Sequence, residues 1–152
     1  MRVRKANAVW EGTLRGGAGR LRLGSSRWEG PYSFASRFES AEGTNPEELI
    51  GAALAGCFSM ALTAELTRMK FKPEIIRTDA EVDLGDTGDG PAINVIRLIT
   101  TAVVPGLGDA DFESAAQKAK AECPVSRALA GVEIKLNAAL ARKARRFPDS
   151  VK

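Results

Sequence analysis

Apolar and polar positions change their rhythm along this chain, and each change marks an element. Residues 2–10 alternate loosely, with Val3, Ala8 and Trp10 as apolar members, and the run breaks at Gly12. Gly16, Gly17 and Gly19 form a turn ahead of a second alternating stretch, Arg20-Leu21-Arg22-Leu23. After breaks at Gly24-Ser25-Ser26 and Gly30-Pro31, a third stretch runs from Tyr32 to Phe38. Three short alternating runs joined by glycine-rich turns predict a β-meander. In its third strand a period of two puts Tyr32, Phe34, Ser36 and Phe38 on one face, and Ser33, Ala35 and Arg37 on the other.

Beyond Phe38 the alternation stops. Thr44-Asn45-Pro46-Glu47-Glu48 is a helix start, with Asn45 as N-cap, Pro46 in the first helical position and two acids in the positive first turn. Glu48 stands where a capping box places its acid. The helix is expected to reach about Phe71 and to stop before Pro73. Residues 49–64 are apolar nearly all round, so this helix is expected to be covered on every side. Two strand-like runs follow, Glu74 to Leu84 and Ile93 to Val104, separated by the acidic, glycine-rich 85–90. That loop lacks the residue order of a calcium loop and reads as a hairpin turn. A helix over Asp109–Ala121, a short one opened by Cys123-Pro124 and running through Leu129, and a strand over Val132–Leu136 complete the chain. Helices and strands are segregated rather than alternating, which predicts an α+β fold. One domain over residues 1–141 and a basic tail over 142–152 are expected.

Composition narrows the chemistry. The 152 residues include 2 Cys and no His. Histidine-based triads, Cys-His pairs, HExxH zinc sites and a histidine general base are therefore excluded within this chain. Two cysteines cannot close a four-ligand zinc site either. The net charge of +3 is concentrated at the end, where Arg142, Lys143, Arg145, Arg146 and Lys152 face only Asp149. The rest of the chain is close to neutral, so neither a nucleic-acid nor a membrane partner is expected from its charge. The uncharged run 49–64 is short of the ~20 residues that cross a bilayer, and residues 1–10 do not resemble a secretory signal. Two cysteines without such a signal point to a cytoplasmic, reducing setting, where a disulfide is redox-active rather than a staple.

The two cysteines read differently. Cys57, mid-helix, fits a small apolar core residue, and burial raises a thiol pKa unless a cation stands close. Cys123 precedes the proline that begins a helix, near free backbone N–H groups that favour thiolate. On position, Cys123 is the more reactive thiol. Neither a P-loop nor a dinucleotide fingerprint occurs in the glycine-rich stretch 16–24.

Four segments together carry a resemblance: Ser36-Arg37-Phe38-Glu39, then Gly43-Thr44-Asn45-Pro46-Glu47-Glu48-Leu49-Ile50-Gly51-Ala52-Ala53, then Ala55-Gly56-Cys57-Phe58-Ser59-Met60-Ala61, and Cys123-Pro124-Val125-Ser126. In order and spacing the chain resembles the OsmC/Ohr family of osmotically inducible and organic-hydroperoxide-resistance proteins. The likeness extends from the first strand to about Leu140 and is closer to the OsmC branch, because Arg37 lies in the strand just before the helix. The resemblance implies a thiol peroxidase on an intertwined homodimer whose long helices lie at its centre. It implies Cys57 as the peroxidatic thiolate, Cys123 as the resolving cysteine, and Arg37 with Glu47 as the activating pair. It implies no cofactor (no metal, haem or flavin), a hydroperoxide substrate, and an external dithiol reductant of the lipoyl type or similar.

The residue types agree with that chemistry. Thiolate attack on a peroxide leaves an alkoxide and Cys–SOH, so the sulfur needs a low pKa and the leaving oxygen needs a cation or donors. Without histidine, the guanidinium of Arg37 is the group able to do both, steadied by Glu47. Phe34, Phe58 and Met60 are the expected apolar wall for an alkyl hydroperoxide. Glu47 and Cys57 are ten residues apart on one predicted helix, roughly 15 Å along its axis, so a composite site with Glu47 supplied by a partner chain is expected. Two other classes stay open: a non-enzymatic dimer that binds an apolar ligand, and a redox-sensing or nucleic-acid-associated protein that uses the tail. The four residues Cys57, Cys123, Arg37 and Glu47 favour the enzyme.

Overall fold

The structure, a computed structural model, describes residues 2–25 and 27–142. They fall into two compact units, one ending at Leu49 and the other beginning at Ile50. The predicted tail lies, from Lys143 on, outside the described residues.

The first unit opens with the predicted meander: β1 (Ala6–Glu11), β2 (Ala18–Leu23) and β3 (Glu29–Ser33), antiparallel in that order. Its register places Trp10, Gly19 and Tyr32 side by side across the three strands. Gly19 has to be glycine, because a Cβ there would collide with the Tyr32 ring. The vacancy lets Trp10 and Tyr32 approach over it, with ring centroids 5.3 Å apart. On the other face of the sheet Arg20 and Arg22 share the Glu29 carboxylate at 2.7 and 3.0 Å.

The third strand ends earlier than predicted. Phe34–Phe38 is a short helix, α1, and not the end of a strand. The reason is local: Ser33 Oγ accepts from the Ser36 N–H at 3.0 Å, and the Ser33 N–H donates to Ser36 Oγ at 2.9 Å. This reciprocal box gives the backbone a helical partner in place of a ladder. The turn reverses the predicted faces. Phe34 and Phe38, four apart, now stack at 4.9 Å, and the Arg37 guanidinium lies 5.1 Å from the Phe38 ring centroid. Ser36 turns inward instead, its hydroxyl donating to the Thr44 carbonyl at 2.8 Å.

The long helix α2 (Pro46–Arg68) starts as its residues predict. Asn45 Oδ1 accepts from the Glu48 N–H at 2.8 Å, while the Glu48 carboxylate accepts from Thr44 Oγ1 at 3.0 Å. Its end comes about three residues before the expected Phe71. Lys70 turns left-handed at φ 69°, and the N–H groups of Lys70 and Phe71 bond the carbonyls of Thr67 and Leu66. That closure satisfies the last carbonyls before Pro73 is reached.

The second unit builds its core on α2. β4 (Ile75–Asp86) and β5 (Pro91–Val103) form the predicted antiparallel hairpin, with a bulge at Asp83/Leu84. After α3 (Asp109–Glu122) and α4 (Pro124–Ala128), strand β6 (Glu133–Leu140) returns parallel to β5. Leu54, Phe58, Leu62 and Leu66, spaced by four, are fully buried with Ile96 and Leu98 of β5 and Phe112 and Ala116 of α3. Ser59, Thr78 and Thr100 link α2 to the sheet through hydroxyl bonds of 2.8 Å each. Buried Glu65 accepts from Lys118 at 2.8 Å and pairs with Arg68, which also holds Glu122 at 3.2 Å.

The expectation that α2 is covered on every side is not met within the chain. Ala52, Ala53, Gly56, Met60, Thr63 and Ala64 are exposed, Met60 at 75%. At 23 residues α2 is also longer than its uncharged run, and by length and composition alone it would suffice to cross a membrane. Its Leu54–Leu66 stripe is instead the core of the second unit.

Candidate active site

The predicted site residues assemble as two pairs, one in each unit. In the first unit Arg37, on α1, reaches Glu47, the second residue of α2. Arg37 Nη2 donates to Glu47 Oε1 at 2.7 Å, and Nε donates to the two carboxylate oxygens at 3.1 and 3.3 Å. The Glu47 side chain is only 9% exposed, while Arg37 is 37% exposed. The carboxylate is thus sealed under the guanidinium, and the fork is held by its Nε edge with Nη1 directed elsewhere. Glu47 therefore pairs with the arginine of its own chain. The box at Ser33 turns Arg37 toward the start of α2, where Glu47 holds the guanidinium as expected.

Phe34 belongs with this pair. It lines an apolar cleft of about 250 Å³ in the first unit, together with Trp10, Leu14, Tyr32, Arg37 and Phe38. Trp10 and Tyr32 escaped the sequence reading as wall residues. Their signal was the glycine at position 19, whose meaning depends on strand register.

In the second unit the structure joins Cys57, on α2, to Cys123, at the junction of α3 and α4. Both are free thiols, each close enough to bear on the other's ionisation, and Cys57 packs against the buried cluster that holds Cys123. Cys123 is fully buried and Cys57 half-buried. Burial pushes the Cys57 thiol up, and its bond to Cys123 adds to the rise. Burial also acts upward on Cys123 and is the largest single influence there. The bonds from Cys57, from the Ser126 N–H and hydroxyl and from the Val125 N–H outweigh it together, and Cys123 lies below its ordinary value. Within one chain, then, Cys123 is the sulfur better able to hold the negative charge, as its place before Pro124 predicts. Ser126 matters for this. Its N–H and hydroxyl are among the groups that favour the Cys123 thiolate. The three-residue cap spacing Cys123-x-x-Ser126 was the available signal for it.

Phe58 and Met60 are not among the residues that line the cleft of Phe34. Phe58 has no accessible surface and is part of the core, because it continues the Leu54–Leu66 stripe. Met60 stands on the opposite, exposed side of α2. Among the described residues no cluster of three or more Cys, Asp or Glu could hold a metal ion.

The fold is α+β, with a long central helix that carries one thiol and presents it to a second. The chain belongs to the OsmC family: the family model, described as OsmC-like protein, matches residues 39–137. The chain is 46% identical over 127 residues to the peroxiredoxin OsmC of Escherichia coli (strain K12), spanning 83% of this chain and 89% of that one. It is 36% identical over 91 residues to the organic hydroperoxide resistance protein of Xanthomonas axonopodis pv. citri (strain 306), spanning 59% and 62%. The higher identity agrees with the OsmC branch, although Arg37 lies on α1 and not in a strand. Among solved structures, an organic hydroperoxide resistance protein OsmC from Legionella pneumophila superposes with a TM-score of 0.72 at 23% identity, covering 93% of this chain and 100% of that one. OhrB of Bacillus subtilis gives 0.70 at 22% identity, with 88% and 97% covered. At these identities the likeness shows the fold.

Proposed function

We propose that this protein is a cysteine-based peroxidase that reduces organic hydroperoxides, and hydrogen peroxide less efficiently, in stress defence. The observation that carries the proposal is that two free thiols 66 residues apart, Cys57 and Cys123, lie close enough to shift each other's ionisation, with Cys57 packed against the buried cluster that holds Cys123. The names of the relatives, a peroxiredoxin and organic hydroperoxide resistance proteins, point the same way.

The Cys57 thiolate attacks one peroxide oxygen. An S–O bond forms, the O–O bond breaks, and the alkoxide leaves and takes a proton to become the alcohol. Cys57 is left as sulfenic acid. Cys123 then attacks that sulfur, the S–S bond forms, and hydroxide leaves and is protonated to water. The closeness of the two thiols supports this second step. An external dithiol, of the lipoyl type or similar, returns both cysteines to thiols by exchange and is itself oxidised to a disulfide. A reducing, cytoplasmic setting fits that recycling.

For the first step the negative charge has to sit on Cys57, against the preference found within one chain. A guanidinium beside it supplies the reversal. Because α2 is unbroken from Pro46 to Arg68, Glu47 lies about 15 Å along the axis from Cys57. Arg37 is clamped to Glu47. The Arg37–Glu47 pair of one chain therefore serves Cys57 of the partner subunit, in a two-fold dimer formed through the bare face of α2. Isologous pairing makes two equivalent sites and covers Met60.

Stopped-flow measurement of thiol loss with cumene hydroperoxide tests the assignment. Cys57→Ser is expected to abolish even a single turnover. Cys123→Ser is expected to retain it and to accumulate sulfenic acid. The reverse pattern would reassign the peroxidatic sulfur to Cys123, and no thiol loss in the wild-type protein would leave a binding module.

A further inference from the structure

Among the described residues of the second unit, one charged side chain is buried: Glu65 of α2, 6% exposed. Neither peroxidase step uses it. It follows Cys57 by eight residues, about 12 Å along α2. Its carboxylate accepts from Lys118 Nζ of α3 at 2.8 Å and pairs with Arg68. Arg68 Nη2 also donates to Glu122 at 3.2 Å, and Glu122 is the residue immediately before Cys123. Lys120 ties the same stretch of α3 to β6, donating to the Ile134 carbonyl at 3.2 Å. The end of α3 that delivers Cys123 is thus tethered to α2 through Lys118 and Glu122, and both tethers lead back to Glu65.

Apolar packing does not fix that end by itself. What α3 buries is Phe112 near its start, then Ala115, Ala116 and Ala119 ahead of Cys123. Apolar contact is non-directional and alanines raise low ridges, so they discriminate weakly between neighbouring registers of α3 on α2. A buried ion pair does the reverse. Desolvation offsets most of its attraction, yet any register that parts Glu65 from Lys118 leaves a buried charge short of a partner. Disulfide formation is sensitive to register, because the two Cα atoms have to stand about 4.4–6.8 Å apart. We propose that Glu65 is a positioning residue: its pairs with Lys118 and Arg68 fix the register of α3 on α2 at which Cys123 reaches Cys57. The use of that register to resolve a sulfenic acid rests on the peroxidase reading. The register itself does not, since disulfide formation reports it without any peroxide.

Equilibration of the reduced protein with mixtures of oxidised and reduced glutathione measures the effect. Oxidised glutathione takes two electrons from the thiols, an S–S bond forms between Cys57 and Cys123, and the two thiol protons leave on two molecules of reduced glutathione. Glu65→Gln is expected to lower the equilibrium constant for that disulfide about tenfold, within the ~100-fold that a 1 Å misplacement can cost. Lys118→Met is expected to act in the same direction, and Lys118→Arg, which keeps the pair, to retain most of the constant. Lys118 is 47% exposed, so Lys118→Met carries the test if Glu65→Gln does not fold. A role in stability alone would lower the melting temperature and leave the constant where it was. In stopped flow, Glu65→Gln is expected to leave the sulfenic-acid step with cumene hydroperoxide unchanged and to slow the disulfide step by a similar factor. An unchanged constant in either variant that folds, equal slowing of the two steps, or no Cys57–Cys123 disulfide in the wild-type protein would each overturn the assignment. If the constant depends on Glu65 while no hydroperoxide consumes thiol, the positioning role stands and the peroxidase reading falls.

Discussion

A sulfur held at the end of a helix by N–H groups and a sulfur in the middle of another helix do not compete equally for a proton. Cys123 receives donors from Val125, Ser126 and Cys57, and Cys57 is pushed up by burial. The proposed attack by Cys57 on a peroxide therefore depends on a charge from elsewhere, and Arg37 is the proposed source. In the Cys123→Ser background, Arg37→Ala is expected to move the midpoint of the pH–rate profile for peroxide reduction upward by about one to three pH units. The sign follows from removing a cation that favours the thiolate. Glu47→Gln, which leaves the guanidinium in place but loosens its clamp, is expected to slow the reaction with a smaller change of midpoint. A profile unmoved by Arg37→Ala would detach the arginine from the sulfur. At this scale the sequence was informative because it was poor in options: without histidine, few groups can ionise a thiol or receive an alkoxide. What it left open was the direction of Arg37, which a strand points away from Phe34 and Phe38 and a helical turn points toward them.

Among the elements, long ones were legible and short ones were not. The caps of α2, the hairpin of β4 and β5 and the α3 helix all announce themselves by residues that satisfy backbone groups or repeat with a clear period. Residues 34–38 carry an alternation that fits a strand, and the Ser33–Ser36 box overrides it with two side-chain bonds. Ser33→Ala is expected to cost about 1 kcal/mol of stability, read by thermal melting. Because α1 carries Arg37, the same change should reduce peroxidase activity by more than the loss of folded protein explains. Phe58 marks the opposite kind of element-scale correction. A position expected from its apolar side chain as substrate wall belongs to a stripe of four buried residues on α2, and Phe58→Ala is expected to cost about 3–5 kcal/mol by leaving a cavity.

For the whole molecule, the exposed face of α2 is the feature that one chain does not resolve. Ala52, Ala53, Gly56 and Met60 leave a row of small and apolar groups in water along the helix that bears Cys57. A second copy of the chain covers that row in the proposed dimer and brings its own Arg37–Glu47 pair to the sulfur. Met60→Asp is expected to yield folded monomers by sedimentation and circular dichroism. Those monomers should lack peroxide reduction, because each retains its thiols without the guanidinium of a neighbour. A Met60→Asp monomer with full activity would end the shared-site proposal while leaving the chemistry of Cys57 and Cys123 open.

The sequence alone determined the family, the α+β order of elements, the start of the long helix and the short inventory of reactive groups. Those depend on residue type and on local period, both of which are written along the chain. Tertiary structure decided which groups meet: Arg37 with Glu47, Cys57 with Cys123, Phe58 with the core, and Glu65 with Lys118. Each of those contacts joins residues brought together by a turn, a strand register or a packed helix, and it is that closure in space, absent from any local pattern, that assigns a side chain to a site or to the interior.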